Sequence, residues 1–310
     1  MNTSYVGQYS DTNTSVVEYY NFARTGFDTQ QMLTAGTDEK DACDNKWGRG
    51  SPPVTLADTA IRKAKTDERK AYFVTTGGVN NTNWTKVAEG IAKCGVVDEF
   101  RRHIQKYIVD KKLPWTATLH WYDADGKEIA KGKAILGGAC HGKVKGDLTD
   151  VTYIHKRIEI PTYDGPDKYK QIGTDAKDIV NKMLTAGADK IVWMGYYDLT
   201  PAKINVGNFA ETYRLKLSEK VQGWLPGKIP SYEVELVSDD DWKKTAKKWI
   251  GELNAAVKDN LPANAKVKFQ AAPELDADKI QKTMVGGCPH PNKPGHAELA
   301  KTLDTAFKAI

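Results

Sequence analysis

The residues best suited to chemistry lie in two loops at opposite ends of the chain. Residues 285–300 read VGGCPHPNKPGHAELA, which sets His290 among Pro289, Pro291 and Pro294. Each proline fixes one backbone φ, and Pro294 with Gly295 opens the turn into an amphipathic C-terminal helix. Imidazole titrates near neutrality, so a histidine whose ring is placed by a rigid loop suits general-base catalysis. Far upstream, residues 75–84 read TTGGVNNTNW and follow the apolar segment 71–74. The two glycines permit a sharp turn, and the Asn80 side chain then offers two amide donors. Gly26, in the neighbouring loop, offers a backbone N–H. Donors converging from two loops suit a developing oxyanion in acyl transfer, where loss of one costs about 100- to 1,000-fold in rate. A structural alternative stands beside each reading: a helix-capping loop for His290, an Asx turn for Asn80 and a strand terminator for Gly26. A phosphate-cradling loop is disfavoured because the run lacks the GxxxxGK[ST] lysine.

Such loops need a scaffold that brings them to one place, and the patterning implies an α/β protein. Apolar, β-branched or aromatic runs predict core strands at 3–7, 16–22, 71–75, 190–195 and 266–270, with a further possible strand over 231–237. Helical periodicity predicts helices starting at Gln30 behind an Asp28 or Thr29 cap, and over 55–65, 85–110, 169–186, 208–221, 242–260 and 294–310. The expected architecture is therefore a three-layer, doubly wound, flavodoxin-like parallel sheet of about five strands, in one domain over 1–310. Between 114 and 161 the period changes to alternation around a DADGK turn, so a β-rich insertion is expected there. In doubly wound sheets, sites form in the loops at the carboxyl ends of the strands. Both loops singled out above take that position.

At this level the chain resembles the SGNH (GDSL-type) hydrolases, serine esterases and lipases on a flavodoxin-like sheet. NFARTGFDT is similar to the family's second block, GGVNNTNW to its Gly-x-Asn-Asp third block, and CPHPNKPGHAELA to its fifth block. WMGYYDL, after the fourth predicted core strand, is also similar to the stretch these enzymes carry there. The blocks occur in the family's order over nearly the whole chain. The resemblance implies His290 as the catalytic base and Gly26 with Asn80 as oxyanion-hole donors. Three positions depart from the pattern. The Gly-Asp-Ser block has GQYSDTNTS in its place, leaving Ser10 as the candidate nucleophile. Asn81 stands for the aspartate of the third block, and Gly287 occupies the position three before the histidine where the family has its acid.

Two activities follow. In one, Ser10 and His290 form a Ser-His pair, with a backbone carbonyl orienting the imidazole, or Asp11 or Asp28 reaching the site, and hydrolyse a small acyl ester or an acetylated carbohydrate. In the other, the same scaffold lacks a working nucleophile and binds an ester or glycan without cleaving it. A flavodoxin-like nucleotide binder is a more distant alternative. Trp47 and Trp84 flank the site loops and are candidates for stacking on a sugar or acyl group, with packing under a loop as the alternative. Trp193 and Trp249 read as core.

Composition narrows the partners. The chain has 310 residues and a net charge of +5, with a mean hydropathy of −0.56. Its lysines spread over many predicted helices rather than gathering beside exposed aromatics, which argues against a nucleic-acid face. No apolar run approaches the ~20 residues needed to span a bilayer, so no integral membrane segment is expected. The histidines show no ligand spacing and the cysteines no CxxC pair, so neither a metal nor a cofactor is expected. Cys43, Cys94, Cys140 and Cys288 are compatible with two disulfides in any of three pairings, or with buried thiols. Together with N-x-S/T sequons at Asn2, Asn13, Asn80 and Asn83, they suggest a secreted glycoprotein. Residues 1–10 are polar and lack an apolar h-region, so a signal peptide is expected to be absent from this chain.

Overall fold

The computed structural model describes residues 4–22, 27–34, 51–84, 86–88, 118–122, 128–133, 162–205, 216–217, 233–235, 240–281 and 290–310. The elements in chain order are α1 (Tyr5–Thr12), α2 (Thr29–Thr34), α3 (Pro53–Thr66), β1 (Tyr72–Thr75), β2 (Thr118–Tyr122) and β3 (Glu128–Lys133). They continue with α4 (Gly165–Ala186), β4 (Lys190–Met194), β5 (Lys203–Asn205), β6 (Lys216–Leu217) and β7 (Glu233–Glu235). The last three are α5 (Asp240–Lys258), β8 (Val267–Gln270) and α6 (Lys293–Lys308).

The run KIVWM of β4 explains the layering. Successive strand side chains point to opposite faces. Ile191 and Trp193 accordingly enter one apolar cluster, Val192 and Met194 another, and none of the four is more than 1% exposed. A strand buried on both sides belongs in the middle of a covered parallel sheet. β4 pairs in parallel with β1 on one side and β8 on the other. The first cluster joins β4 to α3, α4 and α5, and the second joins it to α1 and α6. Helices therefore cover both faces. α4 presents Ile172, Ile179, Val180 and Met183 with no exposed surface, and each such side chain contributes about 1.5–3 kcal/mol relative to exposure. Asp189 fixes the register at the start of the sheet, because its carboxylate accepts from the Ala71 N–H at 2.8 Å and its own N–H donates to the Ala71 carbonyl.

Several expectations need correction. The predicted strand over 3–7 is instead the start of α1. Ser4 caps that helix by accepting from the Gly7 N–H at 3.1 Å, and Tyr5, Val6 and Tyr9 form a stripe against the α6 cluster. Residues 16–22 are not a strand. Val17 is 81% exposed, so the alternation has no second buried face to satisfy. The segment runs from Val16 in one cluster to Phe22 in the other, and Glu18 meets Arg69 on the way. Without these two, the parallel sheet has three strands among the described residues rather than about five. β1 is accordingly an edge strand, with Tyr72 42% exposed, rather than buried throughout.

The insertion does contain the expected hairpin, β2 with β3, which pairs further with β6. β6 lies where a helix over 208–221 was predicted. The strand near 231–237 is β7, and it pairs with β5 in a separate two-stranded sheet. Most of the predicted helix over 85–110, and the four cysteines, fall outside the described residues.

Candidate active site

The first loop leaves β1 through Thr76 and Gly77. Gly78 has φ +106°, a value that costs glycine little. A Cβ at Gly78 would stand 3.0 Å from Ile172 and 3.1 Å from Leu253, so the missing side chain lets the loop settle onto α4 and α5. A 3₁₀ turn over Val79–Asn81 and the residues just after it present three asparagines, Asn80, Asn81 and Asn83, to three different partners. Asn80 is exposed and donates from Nδ2 to the Phe27 carbonyl at 3.1 Å, leaving its second N–H for another acceptor. Asn81 accepts from the Thr29 N–H at 3.0 Å and donates to Thr29 Oγ1 at 2.8 Å. Asn83 exchanges bonds with Asp164, its N–H donating to Oδ1 at 2.7 Å and its Oδ1 accepting from the Asp164 N–H at 3.1 Å. Asn80 thus serves as a tie between loops rather than as an Asx turn. Gly26 itself lies outside the described residues, but its successor Phe27 is the residue that Asn80 holds. Asp28 caps α2 in a reciprocal pair with Gln31, at 2.7 and 3.0 Å.

The described part of the second loop, from His290 onward, makes backbone bonds to the segment before it. The His290 carbonyl accepts from the Gln281 N–H at 2.8 Å, and Ile280 bridges antiparallel to Pro291. Asn292 caps α6 by accepting from the Gly295 N–H at 3.1 Å. A Cβ at Gly295 would collide with the Lys279 carbonyl oxygen, so glycine is what lets the turn close on this segment. His290 is exposed at the mouth of this turn.

The Tyr5 side chain links the first loop to α6. The Tyr5 hydroxyl bonds Thr76 Oγ1 at 2.9 Å, and its ring stacks on His296 at 6.4 Å between centroids. Burial pushes the Tyr5 phenol up to about 12, with the Thr76 bond acting in the opposite sense. On α1, Gln8 reaches the Lys293 carbonyl at 3.3 Å. Positions two apart in a helix differ by about 200°, so Ser10 lies on the opposite flank of α1 from Gln8, one turn beyond Val6. Ser10 is partly exposed.

Trp84 is not a platform for a ligand. It is 2% exposed and lies edge-on to Tyr163 and Trp249, so it belongs to the core. Trp47 and Gly287 fall outside the described residues. The sequence reading has Thr29 only as a candidate helix cap and does not include Asp175. Thr29 Oγ1 donates to Asp175 Oδ2 at 2.6 Å, and both residues are buried. The signal for Asp175 was a lone carboxylate within the apolar stripe Ile172–Ala176–Ile179 of a helix.

His296 gives a pH prediction. Burial, and secondarily the nearby His290, hold its pKa below the usual histidine value, and its Nδ1 is buried without a partner. The unfolded chain therefore binds a proton more readily than the folded one. The stability tied to neutral His296 is fully present above about pH 6.5, the free histidine value, and is lost as pH falls below it through the folded pKa. Melting temperature should consequently drop on acidification through this range, and the drop should be shallower in His296→Phe, which keeps the ring contact with Tyr5. Equal slopes in the two proteins would remove His296 from the account.

Among the described residues no helix is long and apolar enough to cross a membrane. No family model, curated protein or solved structure matches the chain.

Proposed function

We propose that the chain is a carboxylic ester hydrolase of the SGNH type, acting on a small acyl ester or an acetylated carbohydrate. His290 is the general base, and Asn80 with the Gly26 N–H are the oxyanion donors. The observation that carries this reading is the convergence on Tyr5. Thr76, just after β1, and His296, in the first turn of α6 behind His290, meet the same side chain although they are distant in sequence, and β1 belongs to the parallel sheet. Parallel strands present their carboxyl ends on one edge, which is where α/β sheets assemble sites. The Asn80 bond to Phe27 supports the reading further, because it draws the residue next to Gly26 toward the same point. Three layers with helices on both sheet faces suit a doubly wound fold of this kind.

A second reading, that the chain binds an ester or glycan without cleaving it, is favoured by one observation. Ser10 sits in a helix rather than at the carboxyl end of a strand, where a nucleophile would protrude toward His290. Incubation with a fluorophosphonate probe followed by intact-mass analysis separates the two. A single adduct that maps to Ser10, is lost in Ser10→Ala and accompanies turnover of a short-chain aryl ester supports hydrolysis. A folded protein with no adduct and no turnover leaves the binding reading.

A further inference from the structure

We propose that Asp175 is the positioning residue for the oxyanion loops, acting through Thr29 and Asn81; this rests on the oxyanion assignment above. Asp175 is 4% exposed on the apolar face of α4. A carboxylate there is costly unless hydrogen bonds compensate it. Its described partners are neutral donors, Thr29 Oγ1 at 2.6 Å and Gln171 Nε2 at 2.7 Å, one to each oxygen. Gln171 lies one turn before Asp175 on the same helix and orients the carboxylate, while Thr29 lies 146 residues away in sequence.

Thr29 is completely buried and has every polar atom of its side chain committed. Its hydroxyl gives its only proton to Asp175 and accepts from Asn81 Nδ2 at 2.8 Å. Its backbone N–H donates to Asn81 Oδ1 at 3.0 Å, closing a two-bond ring between the two residues. The consequence is directional. Once Asp175 accepts the hydroxyl proton, Thr29 Oγ1 can only accept from Asn81, which fixes the amide orientation of Asn81 and therefore the pairing with the Thr29 N–H.

This ring ties the two loops at adjacent points. Thr29 follows Gly26 by three residues and opens α2, and Asn81 follows Asn80 directly. The Asn80 bond to Phe27 adds a parallel tie on the exposed side. The β1 loop also lies directly on α2, since a Cβ at Gly77 would stand 3.3 Å from Met32 Sδ and 3.5 Å from Thr29 Cγ2. A buried carboxylate in a 22-residue helix thereby sets the position of Thr29, three residues after Gly26, against Asn81, the neighbour of Asn80. Oxyanion donors act only when their positions are fixed before the charge develops.

The test combines backbone hydrogen exchange with kinetics on the full chain and on Thr29→Val, Thr29→Ser, Asp175→Asn and Asp175→Leu. Thr29→Val removes the hydroxyl at nearly constant volume, and Thr29→Ser keeps it. The amides of Thr29 and residues 79–82 should exchange about tenfold or more faster in Thr29→Val and Asp175→Leu, since each leaves buried groups unpaired. Amides of β4 and α6 should be unchanged, and Thr29→Ser should retain the original protection. Asp175→Asn, which keeps two polar positions but not the charge, should fall between. In a protein that turns over ester, kcat should drop about 100-fold in Thr29→Val with KM nearly constant, as misplaced catalytic groups do.

Exchange at both loops equal to that of the unsubstituted chain would overturn the clamp. Loosened loops with unaltered kcat would overturn the positioning role. Loosened loops in a chain that shows no turnover at all would leave the clamp standing and remove the hydrolase reading instead.

Discussion

Replacing His290 by alanine is expected to lower ester turnover by about 10,000-fold or more, the scale seen when a member of a hydrolytic triad is removed. Thermal stability should stay within about 0.5 kcal/mol of the original, as for other exposed substitutions. The two halves follow from the same geometry. Residues 290–292 are tied to 279–281 by backbone interactions, the Gln281 bond to the His290 carbonyl, the bridge of Ile280 to Pro291 and the Asn292 bond to the Lys279 carbonyl, and none of these needs the imidazole. The ring itself is exposed, so its loss opens no cavity. A large kinetic effect without a stability effect is therefore the signature of chemistry at this position.

The comparison with Ser10→Ala gives the nucleophile. If Ser10 attacks the ester, its removal should cost as much as that of His290, and the double substitution should cost little more, because the two act as a unit. If His290→Ala is inactive while Ser10→Ala is unchanged, the base is correctly placed and the attacking oxygen is another group. That outcome accords with the place of Ser10 in a helix rather than at the carboxyl end of a strand. Turnover that survives in His290→Ala would remove the histidine from the mechanism. Steady-state kinetics on a short-chain aryl ester, with melting curves on the same samples, reads all three.

The parts of the fold legible in the sequence are those where local pattern and tertiary environment agree. The helix expected over 169–186 is α4, four residues longer at its start, and the strands at 190–195 and 266–270 are β4 and β8. IVWM within KIVWM is legible because a four-residue apolar run is the mark of a strand buried on both faces. The first 22 residues carry the opposite lesson. Tyr5, Val6 and Tyr9 satisfy a short strand and a short helix equally well. The Ser4 cap and the α6 surface decide for the helix, a tertiary override of β propensity. The candidate site divides in the same way. Asn80 and His290 could be singled out because glycines and prolines mark their loops. The Asp175–Thr29 bond could not, since no spacing rule connects positions 146 residues apart. What the sequence does hold is the anomaly of an aspartate between Ile172 and Ala176, and a charged residue in an apolar stripe is a prompt to look for the partner that satisfies it.

Trp84 is where the second large effect is expected, and it concerns stability rather than rate. Its position beside the glycine loop suggested a surface for a ligand, yet Trp84, Val87 and Ala88 stand at helical spacing and all are 2% exposed or less. The indole meets Tyr163 at 6.3 Å and Trp249 at 6.2 Å, both nearly perpendicular, while Tyr163 and Trp249 stack on each other at 4.4 Å. Truncating it to alanine removes the centre of this cluster and should cost about 3–5 kcal/mol. At roughly 2–4 °C per kcal/mol for a chain of this size class, melting should fall by about 10 °C. Phenylalanine at the same position separates packing from polarity. Trp84 Nε1 is buried with no hydrogen-bond partner, a state that costs about 1–3 kcal/mol. Trp84→Phe gives up indole volume but also removes that unpaired N–H, so the two changes oppose each other and the net loss should be under about 1.5 kcal/mol. Denaturant midpoints for both variants test the argument directly. Equal, large losses would mean that the N–H has a partner in solution and that its bond stabilises the cluster. A midpoint for Trp84→Ala matching the original would return Trp84 to the surface as a residue available to a ligand.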